Sequence, residues 1–157
     1  MNTQDYLDRL LARYAATFDL YMPYRIGQEN YPAYGYFTSR VEKYVLSREA
    51  KLWTSDSFEH ILFLKKEKLT LQDVEEAKRL ICEYMEPVLV RKEEKYPEEN
   101  HMYSYLTVVL LTEQEMEPEI AKAVRKISFV KGYKFNFRGY SQARVAAVSV
   151  KNEEIVM

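Results

Sequence analysis

The residues with the most chemical promise lie between Ile120 and Arg144. Lys122, Arg125, Lys126, Lys131, Lys134, Arg138 and Arg144 occur there with no Asp or Glu among them, and Phe129, Tyr133, Phe135, Phe137 and Tyr140 interleave with them. Single-stranded nucleic acid is gripped by this kind of mixture, cations following the phosphates while rings stack on bases. Read as a strand, however, the segment sends Ile127, Phe129, Tyr133, Phe135 and Phe137 to one side and Ser128, Lys134, Asn136 and Arg138 to the other. The rings then fill a core beneath a solvated basic face. If an anionic partner exists, Lys131, Lys134, Arg138, Tyr140 and Arg144 are the residues to meet it.

Other reactive groups are sparse. The two histidines, His60 and His101, have Glu59, Asp56 and Glu99 near them in sequence. A histidine beside a carboxylate can do acid–base work, but neighbours on a strand point to opposite faces, so His60 and Glu59 cannot easily share a site. A structural or surface role is expected for both. Divalent-metal nucleases often carry Glu-x-Lys on a strand after an upstream Asp. Here Glu49-Ala50-Lys51, Glu76-Ala77-Lys78 and Glu93-Glu94-Lys95 match the triplet. Roughly two such matches arise by chance at this composition, and Asp56 follows the first triplet instead of preceding it. HExxH, CxxC, GxSxG and glycine-rich nucleotide patterns are all missing. Cys82 falls mid-helix beside an apolar stripe and reads as a small buried hydrophobe. No catalytic residue, metal ligand or cofactor site is therefore assigned, and the balance leans away from an enzyme.

The elements that must position these groups follow from periodicity. Tyr6, Leu7, Leu10, Leu11, Tyr14 and Phe18 recur every three or four residues, predicting a helix over 3–21 with Thr3 as its cap. Residues 22–33 carry two prolines and a glycine and read as a loop. From Tyr34 the period changes to that of a half-exposed strand, with Phe37, Val41 and Val45 on one parity. AKLWT and EHILFLK read as two further strands about a Ser55-Asp56-Ser57 turn. Thr70 and Asp73 form a capping box for a second helix, which Pro87 should stop. Residues 91–100 are a charged surface connector. MYSYLTVVLL follows, apolar on both parities in its second half as a central strand should be. Glu117-Pro118-Glu119 opens a short third helix ending near Lys126. Strands over about 127–137 and 142–150 then pair across Arg138-Gly139-Tyr140-Ser141.

This order predicts one α+β domain over 1–157: a mainly antiparallel sheet of about five to six strands with about three helices packed on it. The chain is 157 residues long, 47% apolar and 30% charged, the balance of a globular protein and not of a disordered one. Its net charge of −1 gives the whole molecule no bias toward nucleic acid or acidic membranes. With one cysteine, no stretch resembling a signal peptide and no run long enough to span a bilayer, a cytoplasmic protein is expected.

The strand His101-Met102-Tyr103-Ser104-Tyr105, the turn Lys134-Phe135-Asn136-Phe137-Arg138-Gly139-Tyr140 and the stretch Tyr44-Val45-Leu46-Ser47-Arg48-Glu49-Ala50-Lys51-Leu52-Trp53 together look like something. They are similar to a small bacterial family of uncharacterised proteins, from about Tyr36 onward. The resemblance implies a single domain and carries over no catalytic or binding residue. A small non-enzymatic binding or accessory protein is the leading expectation. Its partner would meet either the tyrosine-rich loop (Tyr24, Tyr31, Tyr34, with Trp53) or the 120–144 face. A nucleic-acid-binding or metal-dependent nuclease-like protein is the alternative, and a homodimer through an uncovered sheet face or edge is a third possibility.

Overall fold

The longest apolar run becomes the central strand of the sheet. The computed structural model describes residues 1–44 and 51–157. In chain order the elements are α1 (Thr3–Tyr14), β1 (Asp19–Tyr21), β2 (Tyr24–Ile26), β3 (Glu29–Tyr31), β4 (Ala33–Tyr44), β5 (Lys51–Lys66), α2 (Leu71–Arg79), a π-helical segment (Leu80–Val90), β6 (His101–Thr112), α3 (Pro118–Arg125), β7 (Phe129–Gly132), β8 (Tyr140–Ser149) and β9 (Glu154–Val156). The main sheet runs β1-β4-β5-β6-β8-β7, with β9 also on β8, while β2 and β3 form a separate hairpin. β5, β6 and β8 are mutually parallel and the remaining pairs antiparallel. The fold is α+β, with a parallel centre inside a largely antiparallel sheet.

That centre explains the layering. Two successive parallel crossovers step the same way across the sheet, and right-handed connections then place both on one face. On this covered face Val74, Ala77, Leu80, Ile81, Met85, Ile120, Ala121 and Val124 pack against Leu62, Leu64, Leu106, Val108, Leu110, Ala143, Val145 and Ala147. Among the described residues the opposite face carries α1, whose Leu7 and Leu11 cover Ile61, Phe63, Val109, Leu111 and Val148, and Phe18 just beyond it, which packs on Phe37. The residues under α1 lie toward the C-terminal ends of the three parallel strands. Each buried Leu or Val contributes roughly 1.5–3 kcal/mol over its exposed state, so the closed end of the sheet is the stabilising one. Among the described residues no helix covers the N-terminal ends of β5, β6 and β8 on this second face.

Several local readings are corrected. Asn2, not Thr3, caps α1 by accepting from the Asp5 amide, and the helix stops at Tyr14, after which residues 19–21 add an edge strand. The predicted loop 22–33 contains the β2–β3 hairpin. Ser55-Asp56-Ser57 is not a turn: β5 runs through it unbroken. The Asp56 carboxylate there takes two hydrogen bonds from Arg40, at 2.8 and 3.1 Å, and Ser55 Oγ donates to Met102 Sδ. The Thr70–Asp73 capping box is present as expected, but the helix continues through Pro87 to Val90 in π form. Val45, Glu49 and Ala50 lie outside the described residues, as do the side chains of Val41, Lys51 and Trp53. Among the described residues no helix is long and apolar enough to cross a membrane.

Candidate functional site

Polar residues concentrate at the N-terminal ends of the parallel strands, and the two sheet faces treat them differently. On the covered face the parallel register sets Asp56 against His101 and His60 against Leu106, so two histidines far apart in sequence come to lie near one another. His101 is buried. Its Nδ1 is 2.7 Å from the Arg138 carbonyl oxygen and its Nε2 is 2.7 Å from Ser104 Oγ. A carbonyl only accepts, so Nδ1 carries the proton, Nε2 is the acceptor, and the Ser104 hydroxyl donates to it. His60 Nδ1 lies 2.6 Å from the Tyr34 hydroxyl. Burial lowers the pKa of both imidazoles, that of His60 to about 4 with help from the neighbouring His101. Both are neutral at pH 7.

The π segment roofs this layer and supplies its hub. Its buried positions are Leu80, Ile81, Met85, Glu86 and Val90, spaced as a helix of more than four residues per turn requires. That wider period turns Glu86 inward. Its carboxylate receives Arg91 Nε and Nη2 at 2.7 and 3.1 Å, Lys131 Nζ at 3.1 Å and the Tyr133 hydroxyl at 2.9 Å. Burial alone would raise the pKa of Glu86, but hydrogen bonds from Arg91, Lys131 and Tyr133 outweigh it and hold the group below the usual carboxylate range. The Tyr133 hydroxyl also meets Ser141 Oγ at 2.8 Å. Rings connect the pieces: Phe58 stacks on His101 with centroids 5.7 Å apart, and His101 meets Tyr133 edge-on at 5.8 Å. Tyr24 stacks on Tyr34 at 4.5 Å and hydrogen-bonds Tyr84, so these two tyrosines pack into the covered layer.

Ser104 paired to a correctly protonated imidazole is the arrangement that activates a serine. The cavity beside it, lined by Tyr36, Phe58, His60, Val90, His101 and Ser104 among others, measures about 50 Å³. That space holds a water or two and no organic substrate, and Lys92 closes its margin with a 2.6 Å ion pair to Glu98. In this form the layer is a satisfied polar core, as expected for its two histidines. Among the described residues no group of three or more His, Cys, Asp or Glu is placed to hold a metal ion.

The uncovered face is arranged otherwise. One cross-strand row reads Phe37, Glu59, Tyr105, Gln142, Val130 from β4 to β7. The next row carries Tyr103 beside Tyr140. Tyr103 and Tyr105 have ring centroids 4.5 Å apart, Tyr103 and Tyr140 6.1 Å, and the Tyr105 and Tyr140 hydroxyls are 3.5 Å apart. That hydrogen bond to Tyr140 is the main reason the Tyr105 pKa is raised. Arg144 stands one step along β8, opposite Thr107, and is exposed.

Beyond Tyr140 the chain forms a turn that parity reasoning misread. Lys134, Phe135 and Asn136 all have positive φ, which takes the segment out of strand geometry. Phe135 and Phe137 are 96% and 82% exposed and fill no core, a correction to their expected role. Gly139, at φ +77°, lets the turn lie on β6: a Cβ there would stand 2.0 Å from the Met102 carbonyl oxygen. Beside the turn a cleft of about 350 Å³ is lined by Ser55, Met102, Asn136, Phe137 and Tyr140 among others.

The five residues named for an anionic partner do not form one surface. Lys131 is on the covered face, bound to Glu86. Arg138 donates to the Pro97 carbonyl at 3.0 Å and is half-buried. Lys134 is exposed in the turn, while Tyr140 and Arg144 share the uncovered face. Cys82, expected to be buried, is exposed, because the π period turns it outward. The Tyr103–Tyr105–Tyr140 group escaped the sequence reading, although the alternation Tyr103-x-Tyr105 is the signal that would have found it.

A family model for a domain of unknown function, DUF8052, matches residues 2–157, and the chain belongs to that family. The match begins well before Tyr36 and so takes in α1 and the β2–β3 hairpin. No curated protein and no solved structure matches the chain.

Proposed function

We propose that this DUF8052 member is a non-catalytic protein-binding module whose docking surface is the uncovered end of the sheet with its adjoining turn. The carrying observation is the gathering of Tyr103, Tyr105, Tyr140, Val130, Met102, Phe135 and Phe137 on exposed or half-exposed positions of neighbouring segments. Monomeric proteins rarely leave such groups together on their surface unless something covers them. The composition is that of a protein interface core, rich in Tyr, Phe and Met with an Arg, and poor in Lys and Glu. Nucleic acid is the weaker reading, since Lys131 and Arg138 are already engaged within the chain. A lone exposed cysteine suits a reducing compartment, which supports a cytoplasmic setting.

A photo-crosslinking amino acid at Tyr105 and at Val130, with Cys82 as the off-face control, tests the reading in cells. Protein adducts from the two sheet positions and none from the control are expected. A labelled single-stranded oligonucleotide should show no salt-sensitive anisotropy change. Oligonucleotide binding that falls steeply with salt and disappears in Arg144→Glu, or the lack of any adduct at Tyr105 and Val130, would overturn the proposal.

A further inference from the structure

We infer that the groove between α1 and β9 binds a small amphiphilic monoanion, an alkyl carboxylate whose head meets Arg9 and Arg13 and whose chain lies on Val148 and Ile155. This site is separate from the docking surface proposed above. Its origin is in the spacing of α1. Leu7 and Leu11 bury against the sheet, and Val148 on β8 is the outermost residue they cover. β9 lies one strand further out. Ile155, the register partner of Val148 and therefore on the same face, is left 59% exposed. Helix and outermost strand thus enclose a groove of about 430 Å³, a size typical of small-molecule sites. Tyr6, Arg9, Leu10 and Arg13 form its helical wall. They sit at i, i+3, i+4 and i+7, one stripe beside the buried one.

Within that stripe polar and apolar groups are sorted. Tyr6 and Leu10 are half-buried, while Arg9 and Arg13 are exposed. The two arginines are about one turn apart, roughly 6 Å along the axis, so both guanidinium groups can converge on one carboxylate. Neither makes an ion pair or a side-chain hydrogen bond among the described residues. Neighbouring charges are engaged elsewhere: Asp8 accepts from Gln4 at 2.8 Å, and Lys151 lies 3.9 Å from Glu115. Glu153, in the turn before β9, also lines the groove and has no ion pair among the described residues. Two cations set against one carboxylate leave a surplus of one positive charge, which a monoanion neutralises and a polyanion overshoots. Val148, Val150 and Ile155 give the rest of the lining an aliphatic character, matched by an alkyl chain and not by a polar body.

Amide chemical-shift titration of the isotope-labelled chain with hexanoate, octanoate and decanoate is the test. Saturable shifts centred on residues 6–13 and 148–155 are expected, with dissociation constants in the millimolar range or tighter for ligands of this size. Affinity should rise about two- to fourfold for each added methylene. 1-Octanol, with the same chain and no charge, should bind about tenfold more weakly than octanoate. Arg9→Gln/Arg13→Gln should bring octanoate down to the level of octanol and leave octanol unchanged. Its circular dichroism should match the wild type, since both arginines are exposed. Ile155→Ser should weaken both ligands alike. Octanol binding as tightly as octanoate, octanoate binding indifferent to the double substitution, or no saturable shift up to about 10 mM decanoate overturns the site. Shifts centred on Tyr103, Tyr105 and Tyr140 overturn it as well, because they assign the alkyl chain to the docking surface.

Discussion

His60 and Glu59 are adjacent in β5, and Ser104 and Tyr105 are adjacent in β6, yet each pair divides between two unlike environments. On the covered side every named polar group is matched: Ser104 by His101, His101 by a carbonyl, and Glu86 by Arg91, Lys131 and Tyr133. On the uncovered side Glu59 and Arg144 stand without ion pairs among the described residues, and three tyrosines lean on one another. The contrast is one of cost. A polar group taken out of water needs its partners inside the molecule, whereas one left at the surface can keep them for another molecule. Internal saturation marks the first face as structure; unspent bonding capacity marks the second as the place to look for function.

Substitutions can break that contrast, and the largest effects should come from the covered side. Glu86→Ala removes the acceptor for two cations and a phenol, and should destabilise the fold by roughly 3–4 kcal/mol in urea titrations. Acid should act next. An imidazole whose pKa is lowered in the folded state to about 4 binds protons in the unfolded chain first, so its contribution is complete above about pH 6.5 and is lost as the pH falls toward 4. His60 should account for about 2–3 kcal/mol across that window. The urea midpoint of wild type should fall there, and that of His60→Asn should fall less. Glu86, with its pKa lowered below the usual range, adds a loss only at still lower pH. Tyr133→Phe, which leaves Ser141 and Glu86 each short of one bond, should cost about 1–2 kcal/mol. Smallest of all, Tyr105→Ala should change folding stability by no more than about 0.5 kcal/mol while removing partner binding. A Tyr105→Ala protein as unstable as Glu86→Ala would erase the distinction between the faces.

The sequence disclosed those parts of the fold that local pattern determines. Thr70 and Asp73 announce a helix start within four residues, Pro118 does the same for α3, and the doubled apolar parity of Leu106 to Leu111 identifies a strand covered on both sides. What stayed hidden depends on distant partners. Ser55-Asp56-Ser57 has turn composition, but Arg40 and Met102 satisfy its polar groups across strands and keep it extended. His60 and His101 meet only because β5 and β6 pair in parallel at one register. The parity test on Tyr133 to Phe137 assumed a strand that ends at Gly132, so it buried two phenylalanines that lie in solvent. Of the five binding candidates, Tyr140 and Arg144 share the exposed face because β8 alternates regularly; Lys131 is diverted by Glu86, a residue no local pattern connects to it.

The π segment carries a last consequence, concerning length and not composition. Its wide turn presents Met85 and Glu86 to the core together, and the Arg91 amide reaches back five residues to the Glu86 carbonyl. Relaxed into an ordinary α-helix with every residue kept, the segment would turn about 100° per residue instead of about 80° and, over the steps from Leu80 to Glu86, rotate Glu86 by roughly a third of a turn. The Glu86 carboxylate would then face outward, away from Tyr133 and Lys131. Removing one residue between Leu80 and Met85 offsets that rotation, so a relative of this chain that is one residue shorter there should hold the same glutamate inward on an ordinary helix.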